Sequence, residues 1–221
     1  MVLTRLGVQY DDFSVTFSLS DVNGIEQFVA REEELAEIHK SLSGDGSRHV
    51  VTLHGLGGIG KTQLAIIYAK RHKDDYSAVF WFNMKDEESL KQSFAKVAKQ
   101  ILREHPKAKG LRTADMKGDF NDVVDAVKAW LSLPNNTRWL MIYDNYDNIS
   151  LPHSTDPTAL DIRKFLPESF QGSVIITSRS SQDIIGHPIR IKKLANIRDS
   201  LEILSNTSGR KGLADGEYRI S

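Results

Sequence analysis

The chain has 221 residues, enough for one full α/β domain with a sizeable core, or for such a domain with a short appendage. Lys plus Arg equals Asp plus Glu at 29 each, so charge gives no argument for a nucleic-acid or anionic-membrane partner. No cysteine is present, which excludes disulfides and thiolate chemistry, and no apolar run is long enough to span a bilayer. Met1 to Leu6 lacks a signal-peptide core, and a cytoplasmic protein with no membrane partner is expected.

In chain order, residues 1–24 read as a loosely attached N-terminal arm. Phe13, Val15, Phe17 and Leu19 alternate with polar residues there as in a strand. Residues 31–42 read as a helix, because Leu35, Ile38 and Leu42 recur at helical spacing. After a Ser/Gly break, Val50, Val51, Thr52 and Leu53 suit a buried strand, and a Gly-rich loop follows at once. Leu64, Ile67 and Tyr68 give the next helix its core face. Residues 78–82 form a second strand. Asp86 caps a helix lined by Leu90, Phe94, Val97 and Ile101.

The basic stretch 107–110 reads as an exposed loop. Val123, Val127 and Trp130 mark another helix, ended by the turn at 134–137. Residues 139–143 are a third strand, followed by a polar loop from Asn145 to Pro157. Residues 173–177 are a fourth strand and 189–191 a short fifth. Leu201, Ile203 and Leu204 close a last helix, and 207–221 is a polar tail. Strands alternating with helices imply right-handed βαβ units around a parallel sheet.

Residues 55–62, Gly-Leu-Gly-Gly-Ile-Gly-Lys-Thr, fit the pattern G-x-x-x-x-G-K-T. A polyphosphate needs many hydrogen-bond donors converging on one point. Glycines let the backbone curl into a nest of N–H groups, and the helix opening near Gly60 turns its positive end to the same place. Lys61 supplies a full charge, and the Thr62 hydroxyl can ligate magnesium. The position of the motif between an apolar strand and an apolar-faced helix is what the mechanism requires. Asp144, directly after the third strand, can hold the metal through water. Asn145 stands where many P-loop ATPases with an inserted strand carry Glu or Asp as the base for water. An amide cannot take a proton at neutral pH, so slow or absent hydrolysis is expected. Asp147 is near in sequence, with no role assigned. Arg179 closes the fourth strand, where a cation can read a γ-phosphate or simply sit in solvent.

These pieces together resemble the NB-ARC nucleotide-binding domain of STAND P-loop NTPases, the switch module of NOD-like receptors. Phe28-Val29-Ala30-Arg31-Glu32-Glu33-Glu34-Leu35 is similar to the phrase preceding the P-loop in that family, with Ala30 in place of the usual Gly. Gly172-Ser173-Val174-Ile175-Ile176-Thr177-Ser178-Arg179 resembles its strand ending in a sensor Arg. Tyr143-Asp144-Asn145-Tyr146-Asp147 is closest to fungal members, which often carry TPR repeats downstream. The resemblance implies a three-layer α/β P-loop NTPase with a five-stranded, mostly parallel sheet and helices on both faces. Residues 25–206 would be the NB-ARC domain. It implies ATP or ADP with magnesium as ligand. Val29 and Arg31 would lie on the adenine side. Gly55, Gly57, Gly58, Ile59, Gly60, Lys61, Thr62 and Gln63 would lie around the phosphates. Thr62 and Asp144 would bind the metal, and Arg179 would sense the γ-phosphate. Full members continue into helical and winged-helix subdomains, which this sequence lacks, so a fragment or excised domain is expected. A parent protein could assemble as a homo-oligomer.

Two other readings carry less. A small-molecule kinase would need an arginine-bearing lid, but Arg103, Arg112, Arg138 and Arg163 are scattered. A transcriptional regulator of STAND type would need a basic face or helix-turn-helix. The seven histidines form no ligand cluster along the sequence: His39, His72 and His105 read as solvated helix residues, and His54 as strand-end packing. Trp81, Trp130 and Trp139 read as core.

Overall fold

The computed structural model describes residues 13–17, 31–44, 47–114, 119–147, 159–182 and 184–193. Five strands form one sheet: β1 (His49–His54), β2 (Ala78–Asn83), β3 (Trp139–Asp144), β4 (Ser173–Ser178) and β5 (His187–Arg190). Their spatial order is β2-β3-β4-β1-β5, and every pairing is parallel. β4 therefore lies between β1, which delivers the P-loop, and β3, which delivers Asp144.

Parallel strands joined by helical crossovers are covered on both faces, which is why they read as continuous apolar runs rather than alternating ones. Trp139, Met141 and Tyr143 of β3 point into one core, and Leu140 and Ile142 into the other. The first core is closed by α3 (Glu87–Glu104), the short α4 (Lys109–Thr113) and α5 (Phe120–Leu131). The second is closed by α1 (Glu32–Leu42) and α2 (Lys61–Arg71). The result is the expected three-layer α/β arrangement with five strands. Asp86 caps α3 by accepting a hydrogen bond from the Ser89 N–H at 2.8 Å, and Asp119 does the same for Asn121 at the start of α5.

Four local expectations change. The loop expected at 107–110 runs into α4, because Leu111 is drawn into the core and holds a single helical turn there. β5 begins at His187, two residues earlier than expected. Pro188 is tolerated because β5 is an edge strand. Residues 13–17 make no strand, and they are docked rather than loose. Val15 is buried and donates its N–H to the Ser77 carbonyl at 2.9 Å. The Thr16 N–H donates to Glu104 at 2.7 Å. Trp130 and Trp139 are core, whereas Trp81 is only partly buried. The rest of the 1–24 arm, the helix expected near Leu201 to Leu204, the tail and most of the 145–157 loop lie outside the described residues. Among the described residues no helix is long and apolar enough to cross a membrane.

Candidate nucleotide site

The site is built at the carboxyl edge of the sheet, where parallel α/β sheets place their ligands. β1 ends at His54 and the chain enters the Gly-rich loop. Gly58 (φ 72°) and Gly60 (φ 98°) take left-handed backbone conformations that L side chains rarely adopt, and a Cβ on either would point into open space. That space is a cavity of about 700 Å³. Gly57, Gly58, Ile59, Gly60, Lys61, Thr62 and Gln63 line it from the loop and the start of α2. The first turn of α2 thus turns its N-terminal, positive end toward the cavity.

Lys61 is the first residue of α2 and is 7% exposed. Its ammonium donates to the carbonyls of Gly55 and Leu56, both at 2.9 Å. Burial pulls its pKa down, and nearby Asp147 and Asp144 only partly oppose that. A buried cation held by neutral carbonyls is a receptor for an anion.

Asp144 ends β3 and is 5% exposed. One of its oxygens accepts from the Thr62 hydroxyl at 2.8 Å and from the Thr177 hydroxyl at 2.6 Å. Burial pushes its pKa up, and those two hydroxyls work against the rise by bonding the charged form. Thr62 spends its one proton on Asp144, which leaves its oxygen lone pairs free for a hard cation. A hydroxyl beside a carboxylate, under a phosphate cradle, is a donor set that suits magnesium. Thr62 and Asp144 would hold it, and it would neutralise phosphate charge there.

A profile of the NB-ARC domain matches residues 31–211. The chain belongs to the NB-ARC domain family. As such it is a nucleotide-binding signalling domain on a P-loop NTPase fold. It is similar, at 26% identity over 215 residues, to a nucleotide-binding leucine-rich repeat (NLR)-like protein of Hyaloscypha variabilis. That match covers 90% of this chain and 20% of the relative, so the chain spans about one fifth of that protein's length. Among solved structures it is similar to a signal transduction ATPase with numerous domains from Pyrococcus horikoshii, which carries a tetratricopeptide repeat sensor. The identity is 20%, over 87% of this chain and 27% of that one, with a TM-score of 0.49. Cdc6p from Pyrobaculum aerophilum matches at 15% identity, over 89% of this chain and 53% of that one, also with a TM-score of 0.49.

The opposite wall of the NB-ARC cavity comes from Lys85, Asn145, Asp147, Thr177 and Arg179. Asn145 sits at φ 64° and donates its side-chain amide to Asp144 at 3.1 Å and to Asn83 at 3.3 Å. Arg179 stands over the loop, its Cδ 3.4 Å from where a Cβ on Gly57 would be. It is engaged with Asp147 twice, through its backbone N–H and its Nε, both at 2.6 Å. Arg31 does not line the cavity. It caps α1 at φ 75°, pairs with Glu34 at 3.0 Å, and donates to the carbonyls of Ile59 at 2.9 Å and Lys192 at 3.1 Å. Val29 lies outside the described residues. His54 is beside the P-loop, and its pKa is lowered by burial, then by Arg190 and Lys61.

Thr177, Lys85 and the engagement of Asp147 were not read from sequence. Thr177 could have been. With Tyr143 opposite Ile176 in the β3–β4 register, the next residue along each strand is Asp144 and Thr177. Lys85 follows β2 and carries no motif.

Proposed function

We propose that this NB-ARC domain is an ATP/ADP switch that binds adenine nucleotide with magnesium and turns ATP over slowly or not at all. The observation that carries the reading is the buried Lys61 ammonium, donating to the Gly55 and Leu56 carbonyls beside the cavity that the Gly-rich loop lines. Thr62 and Asp144 hold magnesium in this reading. Asn145 orients water without accepting its proton, which keeps hydrolysis low. Arg179 exchanges Asp147 for the γ-phosphate, so ATP and ADP leave the carboxyl edge in different states. Arg31 and Val29 border the adenine side, as the family resemblance implies. The domain acts in the cytoplasm, within a signalling protein of self-recognition or innate immunity. The likeness to an NLR-like protein supports that role, and assembly of the parent protein into a homo-oligomer belongs to the same reading.

The test is thermal denaturation with magnesium and ADP, ATP or GTP, together with phosphate release. ADP at a hundred times its dissociation constant should raise stability by roughly 2.7 kcal/mol. Asn145→Asp should raise phosphate release above the wild-type rate. A melting curve indifferent to every nucleotide, or rapid wild-type turnover, would defeat the proposal.

A further inference from the structure

The amino edge of the sheet lies at the far end of α2 from the P-loop, about 16 Å along an eleven-residue helix. It gathers side chains that the nucleotide chemistry does not use. His39 is in the last turn of α1. His72 caps the carboxyl end of α2. Asp75 closes the 3-10 turn Lys73–Asp75. Read along the chain, these histidines look like separate solvated residues. In the fold, α1 and α2 cover the same face of the sheet and end at the same edge, which brings the three side chains together. One ligand atom from each lies within 4.8 Å of the others.

The His72 and Asp75 half of the cluster is held in place. The imidazoles of His39 and His72 stack at 4.1 Å with an interplanar angle of 16°. Tyr68 stacks against His72 at 4.6 Å, and its hydroxyl is tied to that of Tyr76 at 2.9 Å. Nδ1 of His72 is 2.9 Å from the Asp75 carboxylate. Arg138 donates to the backbone carbonyls of Asp74 and Asp75, at 3.0 Å and 3.2 Å, which fixes the turn beneath that carboxylate. A cavity of about 340 Å³ opens beside the cluster, with His39, Ser43, His49 and Asp75 on its wall.

We propose that His39, His72 and Asp75 form a binding site for a divalent transition metal, with zinc as the ion it fits best. Two imidazoles and one carboxylate are a nitrogen–oxygen donor set that suits zinc. Calcium and magnesium call for all-oxygen shells. Tetrahedral coordination with bonds of about 2.0–2.1 Å spaces ligand atoms roughly 3.3 Å apart. The His72–Asp75 pair, at 2.9 Å, lies a few tenths of an ångström inside that spacing and parts slightly when the metal takes the place of the shared proton. His39, exposed at a helix end, leaves its stack on His72 and turns its side chain to close the remainder. The fourth position opens to the cavity and takes water. The last turns of two helices also present their negative dipole ends here, which favours a cation.

The test titrates zinc chloride calorimetrically into the full chain and into His39→Gln, Asp75→Asn, His187→Gln and Asp144→Asn, and repeats the series with cobalt followed by its visible absorption. His187 pairs with Glu37 rather than with any member of the cluster, and reports surface-histidine binding. Asp144→Asn reports zinc captured at the P-loop. The expected result is one zinc per chain, with affinity at least about tenfold lower in His39→Gln and in Asp75→Asn. His187→Gln and Asp144→Asn should match the wild type. A tetrahedral cobalt band should appear in the wild type and vanish in His39→Gln. The inference is overturned by no binding up to about 1 mM metal, by binding that persists in both cluster variants, or by binding that moves with His187 or Asp144. None of these readouts requires the nucleotide site to work.

Discussion

Asp144 and Asp147 leave the same strand and meet different surroundings. Asp144 is buried, shares two threonine hydroxyls and is fixed by β3 and β4. Asp147 lies past the strand end, and its partner Arg179 has a side chain that is 65% exposed. The first acid is part of a frame whose geometry two paired strands and two threonine hydroxyls fix. The second is half of an ion pair whose guanidinium is mostly in solvent and whose carboxylate is 21% exposed, so water can reach the pair and compete for Arg179. A nucleotide site needs both kinds of contact. In the proposed switch, the rigid half sets where phosphate and metal sit, and the loose half changes partners when the number of phosphates changes.

That division can be broken at several points. The largest effect is expected at Lys61, which belongs to the rigid half. Lys61→Ala removes a charge-assisted contact worth about 1.5–3 kcal/mol, so nucleotide affinity should fall roughly ten- to hundredfold by isothermal calorimetry. Thr177→Val keeps the shape of a side chain that is 2% exposed and deletes the hydroxyl beneath Asp144. It should cost the nucleotide-free chain about 1–3 kcal/mol in urea denaturation.

Asp144→Asn sharpens the contrast through pH. Burial raises the pKa of Asp144 in the folded chain above its ordinary value of 3.8, so the folded state prefers the protonated acid. The favourable contribution is complete below the unfolded pKa and is lost as pH rises through the folded one. Without magnesium, the stability advantage of Asp144→Asn over wild type should therefore widen from about pH 4 toward neutrality. A gap that narrows over that range would show that hydrogen bonding outweighs burial. The smallest stability change is expected at the loose half. Asp147→Ala should stay within about 1 kcal/mol of wild type by denaturation. It should nonetheless raise preference for ATP over ADP, a shift that Arg179→Ala should cancel.

Much of the phosphate-facing frame was legible because its parts are contiguous. Residues 55–62 follow a β-branched run and open an apolar-faced helix, so the loop, Lys61 and Thr62 could be placed from local pattern alone. Asp144 could be placed by its position after another buried run. What escaped depends on distant pairings. Thr177 gains its role from a strand register, and Asp147 from Arg179 across two loop ends. Val15 is held by Ser77, and its neighbour Thr16 by Glu104, so residues 13–17 looked like part of a loose arm. Helix α4 is a single turn with one buried apolar residue, Leu111, too short for periodicity to register. His39, His72 and Asp75 sit near the ends of two helices, and only the packing of those helices makes them neighbours.

Arg31 has a consequence of its own. Its backbone is held at φ 75°, an unfavoured angle for a residue with a side chain. Its guanidinium spends three hydrogen bonds on Glu34, the Ile59 carbonyl in the phosphate loop, and the Lys192 carbonyl just past β5. One planar cation thus stitches the loop to the strand's exit. The Ile191 N–H adds a backbone bond to the His54 carbonyl at 2.8 Å, so Arg31→Ala should loosen Ile59 and Lys192 together without parting β5 from β1, read as faster amide exchange at both.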